Sequence, residues 1–394
     1  MKNSLVKLRS RNGVNRIVVG AVVVSLASLG GFTAAGAGSL KPGTIAYAKS
    51  VYQSYMKTPT TIAVTTPLPK PVPKNKNMIF LVQNSVPSVV LTGQGVMAAA
   101  AAVGWQHSEI SYDPSSPASL GAAFAAALLK HPTFVSVEGA PSDVFGASTL
   151  AAYQKAGVPI ITTSVTTNNL TKDCSPTAKF CILGDPGSNA VYGHMGDALA
   201  AWFAVNSNMK GQALVVHVND FPILDYWATH FTSQVAKDCP KCELKQLSMN
   251  LSEVQAGQEP GAVVSALRAD PNLKYVFFDD GVFSTGVDSA LASAGLTNVK
   301  VAGSDMQPTD ATALRTHVET AWTATNDVIK GYAIVDIALR HLEGQVIPAG
   351  DSMAPPVQLF TAATIGNTTA MTNPSTALQQ YEKLWHVKKT SNAG

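Results

Sequence analysis

The chain has 394 residues, 46% hydrophobic and 13% charged, which excludes general disorder and provides apolar material for about two domains. Its formal charge of +3 misleads. Five basic residues (Lys2, Lys7, Arg9, Arg11, Arg16) precede an uncharged run from Ile17 to Gly38, and without them the remainder is slightly acidic, so a nucleic-acid partner loses its electrostatic support.

That basic head, the apolar middle and the small-residue exit Ala35-Gly36-Ala37 read as a secretory signal over residues 1–37. The mature protein is then expected outside the cytoplasm, secreted or held in the periplasm or cell envelope. Left uncleaved, the uncharged run is long enough to span a bilayer and would act as an anchor. The first cysteine is Cys174, so none stands at the exit to take a lipid, and no adjacent Arg-Arg pair of the twin-arginine type occurs.

Residues 38–77 form a leader. TIAYAKSVYQSYM is compatible with one short helix. Prolines 67, 69, 71 and 73 then enforce an extended path, either a tether or a strap along the first lobe. From Met78 the pattern turns regular. Strand MIFLVQ, helix LTGQGVMAAAAAVGW, strand SEISYD, helix SPASLGAAFAAALLKHP (capped by Ser116 or Ser119), strand TFVSVEG, helix SDVFGASTLAAYQKAG and strand VPIITTSV alternate. Thr166 to Gly187 breaks the rhythm. It resumes with helix NAVYGHMGDALAAWFAVN, strand ALVVHV, helix ILDYWATHFTSQVA, strand ELKQLSM, helix EPGAVVSALRAD, strand YVFFDD, helix TGVDSALASAG and strand VKVAGSD. A long helix (DVIKGYAIVDIALRHLEG), a late strand (VQLFTAATI) and a terminal helix (PSTALQQYEKLWHV) close the chain. Short connections between alternating strands and helices imply parallel sheets. The expected class is α/β, two doubly wound lobes with a cleft at the carboxyl ends of their strands.

Four cysteines fall into two close pairs, Cys174 with Cys181 and Cys239 with Cys242. In an exported chain this predicts two local disulfides. C-P-K-C is also a redox or zinc pattern. A redox motif opens a helix after a strand, whereas this one precedes a strand, and no further ligands stand at metal spacing. No metal or cofactor is expected. The eight histidines form no metal motif, and no nucleophile elbow, P-loop or dinucleotide fingerprint occurs. FFDDG ends a strand with Asp279 and Asp280, whose side chains alternate to opposite faces and make a poor acid pair. One is expected in the cleft, the other in a cap or turn. Glu138 ends TFVSVEG at the cleft rim. Tyr226 and Trp322 are aromatic candidates for stacking on a solute.

The order of KAGVPIIT, FFDDGVFSTGVDSALASAG, VKVAGSD and KGYAIVDIALRHLEG resembles the type I periplasmic solute-binding proteins of ABC importers, the ribose-binding group in particular. The resemblance runs from about Met78 to Ile365. It implies a monomeric clamp with three crossings between its lobes, closing on a small-molecule solute and docking on a membrane permease served by a separate ATPase. Lobe 1 would hold 78–187 and 322–352, lobe 2 188–321 and 353–366, with a tail helix in 367–394. Carried over residue by residue, the solute site would take Asn84, Ser85, Ser88, Ser164, Asn219, Asp225, Asp280, Asp305 and Thr325. It departs from the sugar pattern. Ser88 and Val89 replace stacking aromatics, Ser164-Val165 an Asp-Arg pair, Asp225 an arginine, Asp280 an asparagine and Thr325 a glutamine. Asp305 is kept, while Asp280 selects the cleft and leaves Asp279 the turn. Ordinary ribose is therefore not expected. A sugar-like solute, a polyol or an amine-bearing molecule is, the amine because buried carboxylates require a partner. A sensor serving a membrane signalling partner is the alternative. A carboxylate-dependent hydrolase is a further one, favoured if both walls of the pocket are acidic.

Overall fold

The computed structural model describes residues 40–114, 116–166, 174, 180–184 and 187–387, and the expected signal segment 1–37 lies outside them. Helix α1 (Ile45–Tyr55) forms in the leader, where the Thr44 side chain accepts from the Tyr47 amide. Then β1 (Asn77–Val82), α2 (Pro87–Ala102), β2 (Gln106–Ser111), α3 (Pro117–Leu128), β3 (Phe134–Glu138), α4 (Ala147–Ala156), β4 (Ile160–Thr163) and β5 (Ile182–Leu183) build a parallel sheet of order β2-β1-β3-β4-β5. Alternation along β1 sends Met78, Phe80 and Val82 into one hydrophobic layer and Ile79 and Leu81 into the other. Both faces are thus covered, as a parallel sheet requires.

The second lobe follows with α5 (Ser188–Asn206), β6 (Gln212–Val218), α6 (Pro222–Asp238), β7 (Glu243–Met249), α7 (Leu251–Gln255), α8 (Glu259–Ala269), β8 (Tyr275–Phe278), α9 (Val287–Ser293), β9 (Lys300–Gly303), α10 (Pro308–Arg315) and β10 (Ala321–Thr325). Helix α11 (Asp327–Leu342), β11 (Val357–Phe360) and α12 (Ala377–Leu384) complete the chain. The second sheet has the order β11-β10-β9-β8-β6-β7, with β11 antiparallel to β10. The result is two parallel-sheet lobes crossed between β5 and α5, between β10 and α11, and between α11 and β11.

Four elements were not foreseen: β5, α7, α10 and β10. The sequence of β10, AWTAT, is buried at every position, so it shows no polar alternation and is too short for an apolar run. This corrects the expected boundary. The chain does not return to lobe 1 at residue 322, because β10 is hydrogen-bonded into the second sheet. It returns with α11, which packs on α2. Two glycines permit that close crossing. A methyl on Gly95 would collide with the Val328 carbonyl oxygen, and one on Gly331 with that of Thr92.

The leader touches both lobes. Ala48 of α1 is buried against Ala201, Ala204 and Cys239. Further on, Ile62, Val64, Leu68 and Val72 join the first-lobe core with Tyr381 and Trp385 of the tail. Both cysteine pairs are disulfides, with Cα–Cα distances of 5.8 Å and 5.3 Å.

One buried polar knot ties strap and tail to lobe 1. Arg340 Nε donates to Asp336 Oδ2 at 2.6 Å and its Nη2 to the Thr66 carbonyl at 2.7 Å, while Trp385 Nε1 donates to Asp336 Oδ1 at 2.8 Å. Asp336 is fully buried and Arg340 1% exposed. Removing one partner of such a pair strands the other charge. Asp336→Ala is expected to destabilise the protein by about 3–5 kcal/mol, read from the midpoint of urea unfolding.

Candidate solute-binding site between the lobes

The cleft is built where strands end. Glu138 closes β3 and is 4% exposed; its Oε1 accepts from Ser164 Oγ at 2.7 Å and from Lys330 Nζ at 3.2 Å. Lys330 also lies 2.8 Å from Asp327 Oδ1, one helical turn earlier on α11. Ser164 follows β4 with φ 55°, and its amide donates to Ser188 Oγ, joining lobe 1 to the first turn of α5. Asp305 follows β9, also with positive φ, and is 5% exposed. Asp280 follows β8 and is half-buried.

These groups feel one another. Burial works against the Lys330 charge, but Asp327, Glu138 and Asp305 outweigh it and hold the ammonium well above the ordinary lysine range. Burial and then Asp305 push the Asp280 carboxyl well above the carboxylate range. Burial also raises Asp305, and it pushes Asp327 up to about 7. Tyr192 is raised by burial and by Asp305 and Asp280, so its phenol stays protonated. Thr163, Ser164, Ser188, Val191, Tyr192, Lys330 and Pro355 line a cavity of about 10 Å³. That is at most the room of one water, so a sugar-sized solute enters only if the lobes part.

The structure thus brings Glu138, Ser164, Asp280 and Asp305 together and sorts the other expected residues elsewhere. Asn84 and Ser85 are exposed, with Asn84 Nδ2 donating to Ser111 Oγ. Ser88 is buried in the first turn of α2. Asn219 is exposed beyond β6. Asp225 is exposed and accepts from His217, which is held between Asp225 and Asp279 at 2.9 Å from each. Thr325 is buried and donates to the Pro356 carbonyl, fastening one crossing to another. Tyr226 faces α5 and stacks on His230. Trp322 is fully buried, donates to Glu319 and stacks near Phe278, which makes it a core residue of lobe 2. The roles expected of the two strand-end aspartates also change. Asp280 is the cap, accepting from the Val282 amide, while Asp279 is buried and accepts from His217 and the Val218 amide.

Lys330, Asp327, Tyr192 and Ser188 were missed. A signal existed in NDVIKG: an aspartate and a lysine three apart, opening a helix whose following face is apolar.

Over residues 72–345 the sequence matches the periplasmic binding protein domain. The chain belongs to that family. No curated protein sequence matches the chain. Among solved structures, a solute-binding protein of an ABC transporter from Agrobacterium vitis, bound with alpha-D-tagatopyranose, aligns with TM-score 0.62 and 20% identity over 75% of this chain and 97% of its own. The arabinose-binding protein AraP of Geobacillus stearothermophilus aligns with TM-score 0.61 and 14% identity over 76% and 100%. A periplasmic solute-binding protein from Actinobacillus succinogenes with bound D-allose gives 0.60 and 17% over 75% and 100%. At these identities the likeness establishes the type I periplasmic binding protein fold. Helix α1, β11 and α12 of the binding protein lie outside the matched domain. No helix among the described residues is long and apolar enough to cross a membrane.

Away from the cleft, a larger cavity of about 370 Å³ lies between α1 and lobe 2, lined by Tyr52, Trp202, Lys300 and Glu319 among others. Burial, then Asp310 and Asp288, push Glu319 up to about 9 from an ordinary 4.5. The folded state therefore keeps a proton that the unfolded chain loses, and stability falls as pH rises between those values. The melting temperature is expected to drop by about 2 °C per pH unit between pH 6 and 9 from this group alone. Melts of Glu319→Gln across that range are expected to show a shallower slope.

Proposed function

We propose that the binding protein is exported, closes its two lobes around a small, uncharged, hydroxyl-rich solute, sugar-like or a polyol, and presents it to an ABC importer. The observation that carries this reading is the group of buried acids behind the cavity at the crossings, where Glu138 accepts from Ser164 and Lys330 of its lining. Glu138 Oε2 has no hydrogen-bond partner among the described residues, Asp305 feels the Glu138 charge, and Asp280 feels Asp305. Such a site takes donors, and hydroxyl groups supply them. The argument for an amine-bearing solute rested on buried carboxylates lacking a cation. Lys330 is that cation, so the neutral class is favoured.

The mechanism is binding-driven closure with no bond made or broken. A solute that touches both walls favours the closed state because only there are both sets of contacts made. The basic head and apolar run of residues 1–37 support export, and family membership supports delivery to a permease. Acid groups on both walls are the one feature that favours a hydrolase. Against it, Glu138 is held by Lys330 and Ser164, and Asp280 caps a turn, so neither is free in the way an acid/base pair requires.

The test is a thermal-shift and calorimetric panel of D-allose, D-tagatose, D-arabinose, allitol and glycerol, with mass spectrometry of any small molecule that co-purifies. At least one neutral member is expected to stabilise the protein by about 2.7 kcal/mol at a free concentration of about 100 times its Kd. A response confined to cationic solutes would overturn the neutral class. Release of cleaved product from nitrophenyl glycosides would overturn the binding-only mechanism.

A further inference from the structure

Lys330 does more than balance its own helix. An ion pair with Asp327, three residues earlier, needs no other element. Yet the ammonium also reaches Glu138, 192 residues away in sequence, whose carboxylate is bonded to Ser164 of the cavity lining. The Lys330 side chain is 5% exposed and the Glu138 side chain 4%, so water contributes little to either charge. Across the cleft stand Asp305 and Asp280 of lobe 2, and Tyr192 closes the side. The titratable groups facing the ammonium are therefore Glu138, Asp327, Asp305, Asp280 and Tyr192: four carboxyls, one phenol and no second cation among the described residues.

We propose that Lys330 determines which solute charge the clamp accepts, its ammonium occupying from within the chain the seat that a cationic group of a solute would take. This rests on the reading of the cavity as the solute site. With the seat filled, closure brings both acidic walls against a resident cation and leaves Glu138 Oε2 for a hydroxyl donor. A solute carrying its own ammonium meets Lys330 at close range in a site shielded from water, where like charges are costly. Without Lys330, the same walls present unpaired acceptors that an amine satisfies better than a hydroxyl.

The substitution that isolates the charge is Lys330→Met, which keeps the apolar stem. Full-length protein is titrated with D-allose, D-tagatose and allitol on one side and with D-glucosamine and D-galactosamine on the other. Wild type is expected to bind neutral members and give no response to the amino sugars. In Lys330→Met the neutral affinity falls at least tenfold and the amino-sugar affinity rises at least tenfold. Glu138→Gln combined with Lys330→Met removes the carboxylate that attracts the amine, retains a neutral pair of similar shape, and returns the preference to neutral solutes. An unchanged ratio of neutral to amino-sugar affinity in Lys330→Met overturns the proposal.

A second measurement needs no solute. In Lys330→Ala, ethylammonium chloride is expected to raise the melting temperature by several degrees over sodium chloride at equal ionic strength, and ethanol is not. Wild type is expected to show no such difference. Equal responses in wild type and variant mean that no cation seat was vacated, and the proposal fails. If wild type binds no member of the panel, the sugar-like reading fails, while the ethylammonium comparison still decides whether the seat exists.

Discussion

Burying an ammonium costs several kcal/mol, and only close pairing with carboxylates offsets it. Lys330 is held under that constraint, and much of the architecture around the cleft serves it. Asp327 must open α11 so that its carboxylate lies one turn below the lysine. Strand β3 must end at Glu138 so that the chain can turn away and leave the carboxylate within reach of Lys330. Helix α11 must also lie tightly on α2, because a wider spacing would draw Lys330 away from Glu138. Gly95 and Gly331 allow that approach, since a side chain at either would collide with the backbone of the facing helix. The glycines are therefore part of the site although neither is among the residues lining the cavity.

The same helix ties the centre of the molecule to its periphery. At its start α11 carries Lys330, and two to three turns later it carries Asp336 and Arg340, which hold the strap at Thr66 and the tail at Trp385. The strap continues back to α1 on lobe 2, where Tyr55 contacts His194 at 2.9 Å and His194 contacts Asp351 in the segment between α11 and β11. The leader thus makes a fourth link between the lobes, beyond the matched domain. Parting of the lobes has to be accommodated along that strap as well as at the three crossings.

How much of this was legible in the sequence depended on the range of the interactions. The alternation of strands and helices is local, so the two parallel-sheet lobes could be read from periodicity. The disulfides were legible for the same reason, each closing a short loop. Strand β10 was not, because AWTAT is stabilised by neighbours from β9 and β11 rather than by its own pattern. Glu138, Ser164, Asp280 and Asp305 could be proposed for the cleft because each stands at or just after the end of a strand that the pattern defines. Lys330 could not, because its role depends on a carboxylate distant in the chain. Trp322 shows the converse. Its position near a crossing suggested contact with solute, but once β10 joins the second sheet the indole has only the core of lobe 2 to occupy, with Glu319 taking its N–H.

The closed cleft stores a deficit. Glu138 Oε2, Asn189 Oδ1 and Asn326 Oδ1, all close to the crossings, are buried without hydrogen-bond partners among the described residues. Each such group costs roughly 1–3 kcal/mol relative to the hydrated state. If the lobes part as proposed, water returns to those that face the cleft, so the empty protein would gain by opening. On the proposed reading, a hydroxyl-rich solute would replace that water with donors fixed on the acceptors and remove the penalty on closing. The ion pair works in the other direction. Lys330 and Glu138 lie in the same lobe and stay together as the lobes part, while Asp305 and Asp280 move relative to them. Closure consequently returns two acidic groups towards a preformed pair with little net charge. Under the proposed mechanism the selective part of closure would then be the matching of donors to acceptors, which a polyol satisfies and a bare cation does not.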